Sequence, residues 1–343
     1  MPHAPATHPA ARLAAHHLLA ALLAILLPIA AYAQPAPRRA PQPAATQPAA
    51  QPDSRAPEPA ASPALRVVVT IPPLRGIVEP LLPDASTVRV LMPPGRSEHG
   101  YEFTPRDLAE VARADLVVYV GLGLEPRVEQ AVRRDPRPTR EDISFADAVG
   151  IKADDHTHHH HGPDGECDHG PTDPHLWLDP ALVAKLVPEV ASRIRASLDR
   201  RGVLTPALRE DLAQRERSLL ARIQAVDDSW RIRLAPFQGR AIVTHHNAFP
   251  RPAERYGLRV AAVIRGFENA EPTPGKLAEV VEAIRRERVR AIFAEPQYSR
   301  ATADRIAKAA GVRVARLDPL GDGDWFAMMG ANLDTLTANL GER

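Results

Sequence analysis

From about residue 64 onward, short apolar runs rich in β-branched residues alternate with segments of helical periodicity. Apolar runs of four to eight residues favour strands, and apolar positions three or four residues apart favour helices. The pattern predicts strands at 65–70, 88–92, 116–120, 241–244, 260–264, 289–294 and 312–317, and helices that include 274–288 and 299–310. Strands that alternate with helices at this spacing form parallel sheets, so two α/β lobes are expected, at 64–180 and 237–343.

Residues 181–236 separate the two predicted lobes and have helical periodicity throughout. Asp179 and Pro180 begin one helix, and Thr205 and Pro206 begin another, because these residue types favour the first turn. A helix of about 28 residues is ~40 Å long, which is the width of a small domain. One of these helices is expected to join the lobes as a rigid strut, and the pattern does not distinguish which one.

The amino-terminal 63 residues differ in composition from the rest of the chain. An apolar run at 18–31 ends in A-Y-A, which predicts a signal peptide at 1–33 with cleavage after Ala33. The run is too short to span a bilayer, so no stable membrane insertion is expected after cleavage. Residues 34–63 contain nine prolines and little that is apolar beyond alanine, which predicts a disordered tether. The mature protein is therefore expected in the periplasm.

The net charge indicates which partners are expected, and the cysteine content indicates whether a disulfide or a lipid anchor is expected. The formal net charge is +1, which argues against nucleic acid as a partner. The single cysteine, Cys167, cannot form an intramolecular disulfide, and the residue directly after the expected cleavage site is Gln34 and not cysteine, so a lipid anchor is not expected.

A histidine-rich segment at 155–170 has the composition of a metal-handling loop. It is polar, contains glycine and acidic residues, and offers six loosely held imidazoles as auxiliary metal ligands: His156, His158, His159, His160, His161 and His169. His175 follows within D-P-H-L-W-L-D-P, where proline and bulky apolar residues favour one fixed geometry. The pattern predicts a metal-collecting loop followed by one rigid ligand.

Other candidate ligands fall directly after predicted strands. His99 follows 88–92, the pair His245 and His246 follows 241–244, Glu295 follows 289–294, and Asp318 follows 312–317. In parallel sheets, ligands bind at the carboxyl ends of the strands, in the crevice between lobes. Three imidazoles and one carboxylate satisfy tetrahedral zinc, whereas manganese prefers more oxygen ligands. We expect His246 to bind the metal and His245 to pack beside it.

Five ordered motifs resemble the zinc-binding ZnuA group of substrate-binding proteins that serve ABC transporters. They are S-E-H-G-Y-E-F-T-P from Ser97, D-P-H-L-W-L-D-P from Asp173, H-N-A-F from His246, F-A-E-P-Q from Phe293 and L-D-P-L-G from Leu317. The resemblance covers nearly all of the chain after Leu65 and implies two α/β lobes joined by a long rigid helix, with the metal in the cleft between them. It implies a cargo of Zn²⁺, and the proline-rich tether is not part of the resemblance.

The resemblance also implies roles for individual residues. His99, His175 and His246 match the metal histidines, and Asp318 matches the carboxylate ligand. Glu98 is the alternative for the fourth position, and Glu295 matches a position that orients a ligating imidazole. Manganese-binding relatives have Glu at the position of His246, which favours zinc.

These features predict a high-affinity carrier that captures periplasmic Zn²⁺ and delivers it, as a monomer, to a membrane permease driven by a cytoplasmic ATPase. The long helix predicts little rotation between the lobes on binding. A periplasmic zinc buffer or metallochaperone has the same site and stays an alternative. A zinc hydrolase is the second alternative, but the sequence contains no H-E-x-x-H motif, and only Glu98 or Glu295 offers a general base.

Overall fold

The computed structural model describes residues 62–152, 173–265 and 272–341. Its first lobe contains a four-stranded parallel sheet in the order β2-β1-β3-β4. The strands are β1 (Arg66–Val69), β2 (Thr87–Val90), β3 (Leu116–Tyr119) and β4 (Glu141–Ser144). The valine- and leucine-rich residues of β1 and β3 are buried, because these two strands lie inside the sheet and are covered on both faces.

The helices of this lobe are α1 (Pro72–Val78), α2 (Pro105–Arg113), α3 (Pro126–Arg134) and α4 (Phe145–Ala148). Proline suits the first turn of α1, α2 and α3, where its missing N–H would have no helical partner. At α2, the Thr104 hydroxyl accepts a hydrogen bond from the Asp107 N–H at 3.2 Å, and the Asp107 carboxylate accepts from the Thr104 N–H at 2.8 Å. This capping box fixes the start of α2 and thereby one end of the loop that carries Glu98 and His99.

Two long helices follow, α5 (Pro180–Arg200) and α6 (Pro206–Leu234). α6 has 29 residues, a length of about 44 Å, and it is the helix that joins the lobes. It contacts both of them, since the Arg215 guanidinium donates to the Leu82 carbonyl at 3.0 Å and the Trp230 indole donates to the Met329 carbonyl at 3.2 Å. The expected strut helix is confirmed, and it is the second of the two predicted helices.

The second lobe repeats the plan of the first, with a parallel sheet in the order β6-β5-β7-β8. Its strands are β5 (Ala241–Thr244), β6 (Arg259–Val263), β7 (Ala291–Ala294) and β8 (Arg313–Arg316), and its helices are α7 (Pro250–Arg255), α8 (Pro274–Arg286), α9 (Ala301–Ala310) and α10 (Trp325–Leu340). The inner strands β5 and β7 are fully buried, and they are followed by the histidine pair and by Glu295.

Buried tryptophans fasten the two lobes together. The Trp177 indole donates to the Pro319 carbonyl at 2.6 Å, and the Trp325 indole donates to the Trp177 carbonyl at 2.7 Å. α1 and α10 approach so closely that a Cβ at Gly76 would lie 2.5 Å from the Trp325 nitrogen, so only glycine fits there. One apolar cluster continues through both lobes around these residues, which favours a fixed arrangement of the lobes.

The prediction of two parallel-sheet lobes is confirmed, and each predicted strand ends within two residues of the observed one. β4 and α10 were not predicted. β4 reads E-D-I-S and has one large apolar residue, and its Glu141 accepts hydrogen bonds from Arg193 and Arg200 instead of packing in the core. Among the described residues, no helix is long and apolar enough to cross a membrane.

The predicted signal peptide at 1–33, the histidine-rich segment at 155–170 and all but the last two residues of the predicted tether at 34–63 lie outside the described residues.

Candidate metal centre

Four side chains of types that can bind a metal ion come from the two lobes and meet near the carboxyl ends of the strands. Glu98, His99, His175 and His246 each offer one ligand atom, and these atoms all lie within 4.8 Å of one another. Glu98, His175 and His246 are buried, and His99 is partly exposed. The first lobe provides three of these side chains and the second lobe provides one.

Glu98 and His99 lie in a single turn of 3₁₀ helix, Glu98–Gly100, in the loop between β2 and α2. A 3₁₀ turn is tighter than an α-helix and places consecutive residues about 120° apart around its axis. Both side chains therefore reach the same centre, which consecutive residues of an extended strand would not do.

His175 lies immediately before a second short 3₁₀ helix, Leu176–Leu178, whose three side chains are buried. The His175 Nδ1–H donates to Asp173 Oδ1 at 2.6 Å, and the His175 backbone N–H donates to the same oxygen at 3.0 Å. A carboxylate that accepts from Nδ1 fixes the tautomer and leaves the Nε2 lone pair for a metal ion. Asp173 therefore aims His175 Nε2 at the centre.

His246 follows β5, and Glu295 follows the neighbouring strand β7. The His246 backbone N–H donates to Glu295 Oε1 at 3.0 Å, and Nδ1–H donates to Glu295 Oε2 at 2.5 Å. Both carboxylate oxygens thus hold one residue, and Nε2 again points to the centre. Neighbouring strands of a parallel sheet supply both members of this pair, so it is complete within the second lobe.

Four of the six distances between the ligand atoms have the length expected around one small cation, and all six are below 4.8 Å. Nε2 of His175 lies 3.1 Å from Nε2 of His99, 3.1 Å from Nε2 of His246 and 3.3 Å from Glu98 Oε1. A tetrahedral ion with bonds of 2.0–2.1 Å separates its ligand atoms by about 3.3 Å. Neither oxygen of Glu98 makes a well-oriented hydrogen bond within the described ranges. A buried carboxylate that faces imidazole nitrogens in this way is suited to a cation.

Burial and neighbouring charges shift the pKa of His99 in one direction and those of His175 and His246 in the other. Burial lowers the pKa of His99 to about 3. Burial acts in the same direction on His246, but the Glu295 and Glu98 carboxylates outweigh it and raise its pKa to about 10. The pKa of His175 is also raised, because the hydrogen bond to Asp173 outweighs burial. The metal-free centre therefore holds a proton on His246 at neutral pH, and a metal ion must displace it.

Glu98 is ionised in this setting. Burial alone would raise its pKa, but the close polar contacts with His175 and His246 outweigh that effect and hold the pKa well below its usual range. A buried carboxylate that stays charged supplies the negative charge that a divalent ion needs.

The structure does not bring Asp318 into this group. Its Oδ1 accepts hydrogen bonds from the Gln297 side chain at 2.8 Å and from the backbone N–H groups of Leu320 and Gly321 at 3.1 and 3.0 Å. Its Oδ2 accepts from Arg316 at 2.9 Å. Asp318 thus stabilises the turn after β8, and the fourth side chain in the group is Glu98.

Of the adjacent histidines, His246 joins the group and His245 does not. The His245 ring packs on Tyr298 with ring centroids 4.8 Å apart. Tyr298 also contacts the other lobe, since its hydroxyl lies 2.7 Å from the Ser97 hydroxyl. Sequence reasoning did not identify Asp173, Tyr298 or Ser97 as site residues. The short distance from Asp173 to His175 along the chain was the one available indication.

Two parallel-sheet lobes, a joining helix and a cluster of metal ligands where the lobes meet define a metal-binding solute-binding protein. The family model described as "ZnuA: Zinc-uptake complex component A periplasmic" matches residues 67–339, so the chain belongs to the ZnuA family. It is a family of binding components, and the hydrolase alternative is set aside.

Individual relatives agree with this assignment. The chain is 27% identical over 259 residues to zinc-binding lipoprotein AdcA of Streptococcus pneumoniae, a match that covers 75% of this chain and 50% of AdcA. It is 26% identical over 272 residues to high-affinity zinc uptake system protein ZnuA of Yersinia pestis, covering 75% of this chain and 83% of that protein. The chain thus spans about half the length of AdcA and most of the length of ZnuA.

Among solved structures, a ZnuA deletion mutant with zinc bound matches with a TM-score of 0.65 and 25% identity, over 82% of this chain and 99% of that one.

Proposed function

We propose that this protein binds Zn²⁺ outside the cytoplasm and delivers it to a membrane permease for import. The observation that carries the proposal is the group of three imidazoles and one buried carboxylate, in which four of the six separations between ligand atoms are 3.1–3.5 Å, close to the edge of a tetrahedral zinc site. Membership of a family described as a component of zinc-uptake complexes supports the direction of transport.

The ligands we propose are Glu98, His99, His175 and His246. Glu98 replaces Asp318 in the set expected from sequence, because Glu98 Oε1 lies 3.3 and 3.5 Å from the Nε2 atoms of His175 and His246. Asp173 and Glu295 accept hydrogen bonds from the Nδ1–H groups of His175 and His246 and thereby orient these two imidazoles. A donor set with three nitrogens favours zinc over manganese or magnesium, which prefer oxygen.

Zinc is also the ion that the names of AdcA and of ZnuA from Yersinia pestis give for those proteins. The partners we propose are a zinc permease of the ABC type and its ATPase, because the family model is that of one component of an uptake complex. We propose the periplasm as the location and a monomer as the working form, with 1–33 as the signal peptide and 34–63 as the tether. The histidine-rich segment at 155–170 would act as an auxiliary collector of zinc.

Transport is tested by reconstituting the permease and ATPase of the same cell in proteoliposomes with ATP inside. Zinc-loaded mature protein should support uptake of radioactive zinc and stimulate ATP hydrolysis. The variant with His99, His175 and His246 all replaced by Ala should support neither.

A periplasmic zinc buffer gives a different result in the same assay. It would bind zinc in the same site yet leave uptake and ATP hydrolysis at the level measured with free zinc alone. That outcome would overturn the transport proposal while leaving the metal site intact.

A further inference from the structure

A polar contact crosses between the lobes directly behind the metal centre. Arg251 lies in the first turn of α7, in the second lobe, and Asp173 lies beside His175 in the first. The Arg251 Nε lies 3.2 Å from Asp173 Oδ2, and its Nη2–H donates to the Asp173 carbonyl at 3.1 Å. The Arg251 side chain is 28% exposed and that of Asp173 is 13% exposed, so water screens this ion pair only in part.

The two oxygens of Asp173 have separate partners. Oδ1 accepts both hydrogen bonds from His175, and Oδ2 faces the Arg251 guanidinium. Arg251 therefore attracts the carboxylate electrostatically, without a well-oriented hydrogen bond between Nε and Oδ2, and donates a hydrogen bond to the backbone of the same residue. Rotation of the carboxylate would move Oδ1 away from His175 and Oδ2 away from the Arg251 charge, so both contacts favour the observed orientation.

The equivalent support for His246 does not cross the cleft. Glu295 and His246 follow neighbouring strands of one sheet, and both oxygens of Glu295 accept from His246. Of the two buried imidazoles among the four proposed ligands, His175 is the one whose orienting carboxylate contacts the opposite lobe.

We propose that Arg251 is a positioning residue that acts through Asp173 on His175 and slows the release of zinc from the centre. The inference rests on the proposed function, since it assigns a role within the same zinc site. Any shift of α7 relative to the first lobe loosens Asp173 and with it the hold on His175. The contact thus makes zinc retention depend on the packing of the two lobes.

The test compares Arg251→Met with Arg255→Met in the full mature protein. Arg255 lies on the same short helix, its side chain is 33% exposed, and it pairs with Asp227 at 2.9 Å and with Asp179 at 3.5 Å, away from the four proposed ligands. It is therefore a matched control for the loss of a half-buried ion pair on α7. Zinc release is measured by mixing the loaded protein with excess chromogenic chelator, and thermal unfolding of the metal-free proteins reports folding.

Replacing a group that supports a metal ligand costs about 10- to 100-fold in affinity. We expect Arg251→Met to speed zinc release about tenfold, Arg251→Lys to restore part of the loss, and Arg255→Met to leave the rate within twofold. The visible ligand-field spectrum of the Co²⁺-loaded protein should change in Arg251→Met alone, because that spectrum reports the geometry of the ligands and not the stability of the fold.

A double-mutant cycle shows whether Arg251 acts through Asp173. Asp173→Asn removes the charged oxygen that faces Arg251 Nε, while its side-chain carbonyl can still accept from His175 and its backbone carbonyl from Arg251, so the combined effect of Asp173→Asn and Arg251→Met should be smaller than the product of the two. Effects that multiply, or equal release rates in the two arginine variants, would overturn the inference. If Arg251→Met does not fold, Arg251→Lys is compared with Arg255→Met instead. A wild-type protein that binds no zinc would instead refute the proposed function.

Discussion

The two buried histidines of the centre are held by different kinds of support. His246 is fixed by both oxygens of Glu295, and the two residues follow neighbouring strands of the second lobe. His175 is fixed by one oxygen of Asp173, whose other oxygen faces Arg251 across the cleft. One ligand is thus oriented as soon as its own lobe has folded, whereas the other reaches full order only when both lobes are in contact. Zinc should bind tightly only to the assembled pair of lobes.

The largest effect is expected from removing the proposed charged ligand, Glu98. Glu98→Gln should weaken zinc binding more than 100-fold, since a buried ligand matters more than the residues that support it. Asp318→Asn is the control, because Asp318 belongs to the turn after β8 and should leave zinc affinity within twofold. Zinc affinity of both variants is measured by competition with a chelator of known affinity. The reverse ranking would restore Asp318 as the ligand.

The protonation of His246 predicts a dependence of zinc affinity on pH. Its pKa, raised to about 10, means that it holds a proton at pH 7 when metal is absent, the raised pKa of His175 acts in the same direction, and zinc binds only the neutral imidazole. Affinity should therefore rise with pH and fall as pH drops, by about tenfold per pH unit for each proton released. His99, with its pKa lowered to about 3, contributes no proton in this range.

Proton release is measured by calorimetric zinc titration in buffers of different ionisation enthalpy. At least about one proton per zinc is expected at pH 7. Release of none would show that His246 is already neutral in the metal-free protein.

Glu295 and Asp173, the carboxylates that orient His246 and His175, should respond differently to replacement by the corresponding amide. Glu295→Gln leaves one oxygen for two donors of His246 that approach different oxygens, so either the backbone N–H or Nδ1–H loses its acceptor. Asp173→Asn can keep its single shared oxygen on His175 and loses only the contact with Arg251. We expect zinc affinity to fall about 100-fold in Glu295→Gln and about tenfold in Asp173→Asn. Equal losses in a chelator competition would contradict the different supports of the two histidines.

The smallest effect is expected at the hydrogen bond between Ser97 and Tyr298, which joins the lobes beside the centre. One neutral hydrogen bond contributes about 1 kcal/mol, so Tyr298→Phe should speed zinc release about fivefold without changing the ligands. Ser97→Ala should have a similar effect, and the double variant should be no faster than either single one. Stopped-flow release to a chelator measures all three, and multiplying effects would show that the two hydroxyls act separately.

The fold and the three histidines could be predicted from sequence, since β-branched runs set the strands and the histidines follow strand ends or a rigid Asp-Pro turn. The fourth side chain of the group, Glu98, could be predicted only as an alternative to Asp318. Asp318 follows a strand as expected, but only the fold reveals that backbone N–H groups of its own turn occupy its oxygen. Glu98 neighbours His99 in sequence, and the 3₁₀ turn that directs both inward has no clear sequence pattern. The Asp173–Arg251 contact joins residues 78 positions apart, and no local pattern indicates such a pair.

The most direct test of the metal centre is calorimetric zinc titration of the metal-free mature protein. It is run beside a deletion of residues 155–170 and beside the variant with His99, His175 and His246 replaced by Ala. One tight site should be present in the wild type, survive the deletion and vanish in the triple variant. Loss of tight binding on deletion, with retention in the triple variant, would place the high-affinity site in the histidine-rich segment and contradict the centre proposed between the lobes.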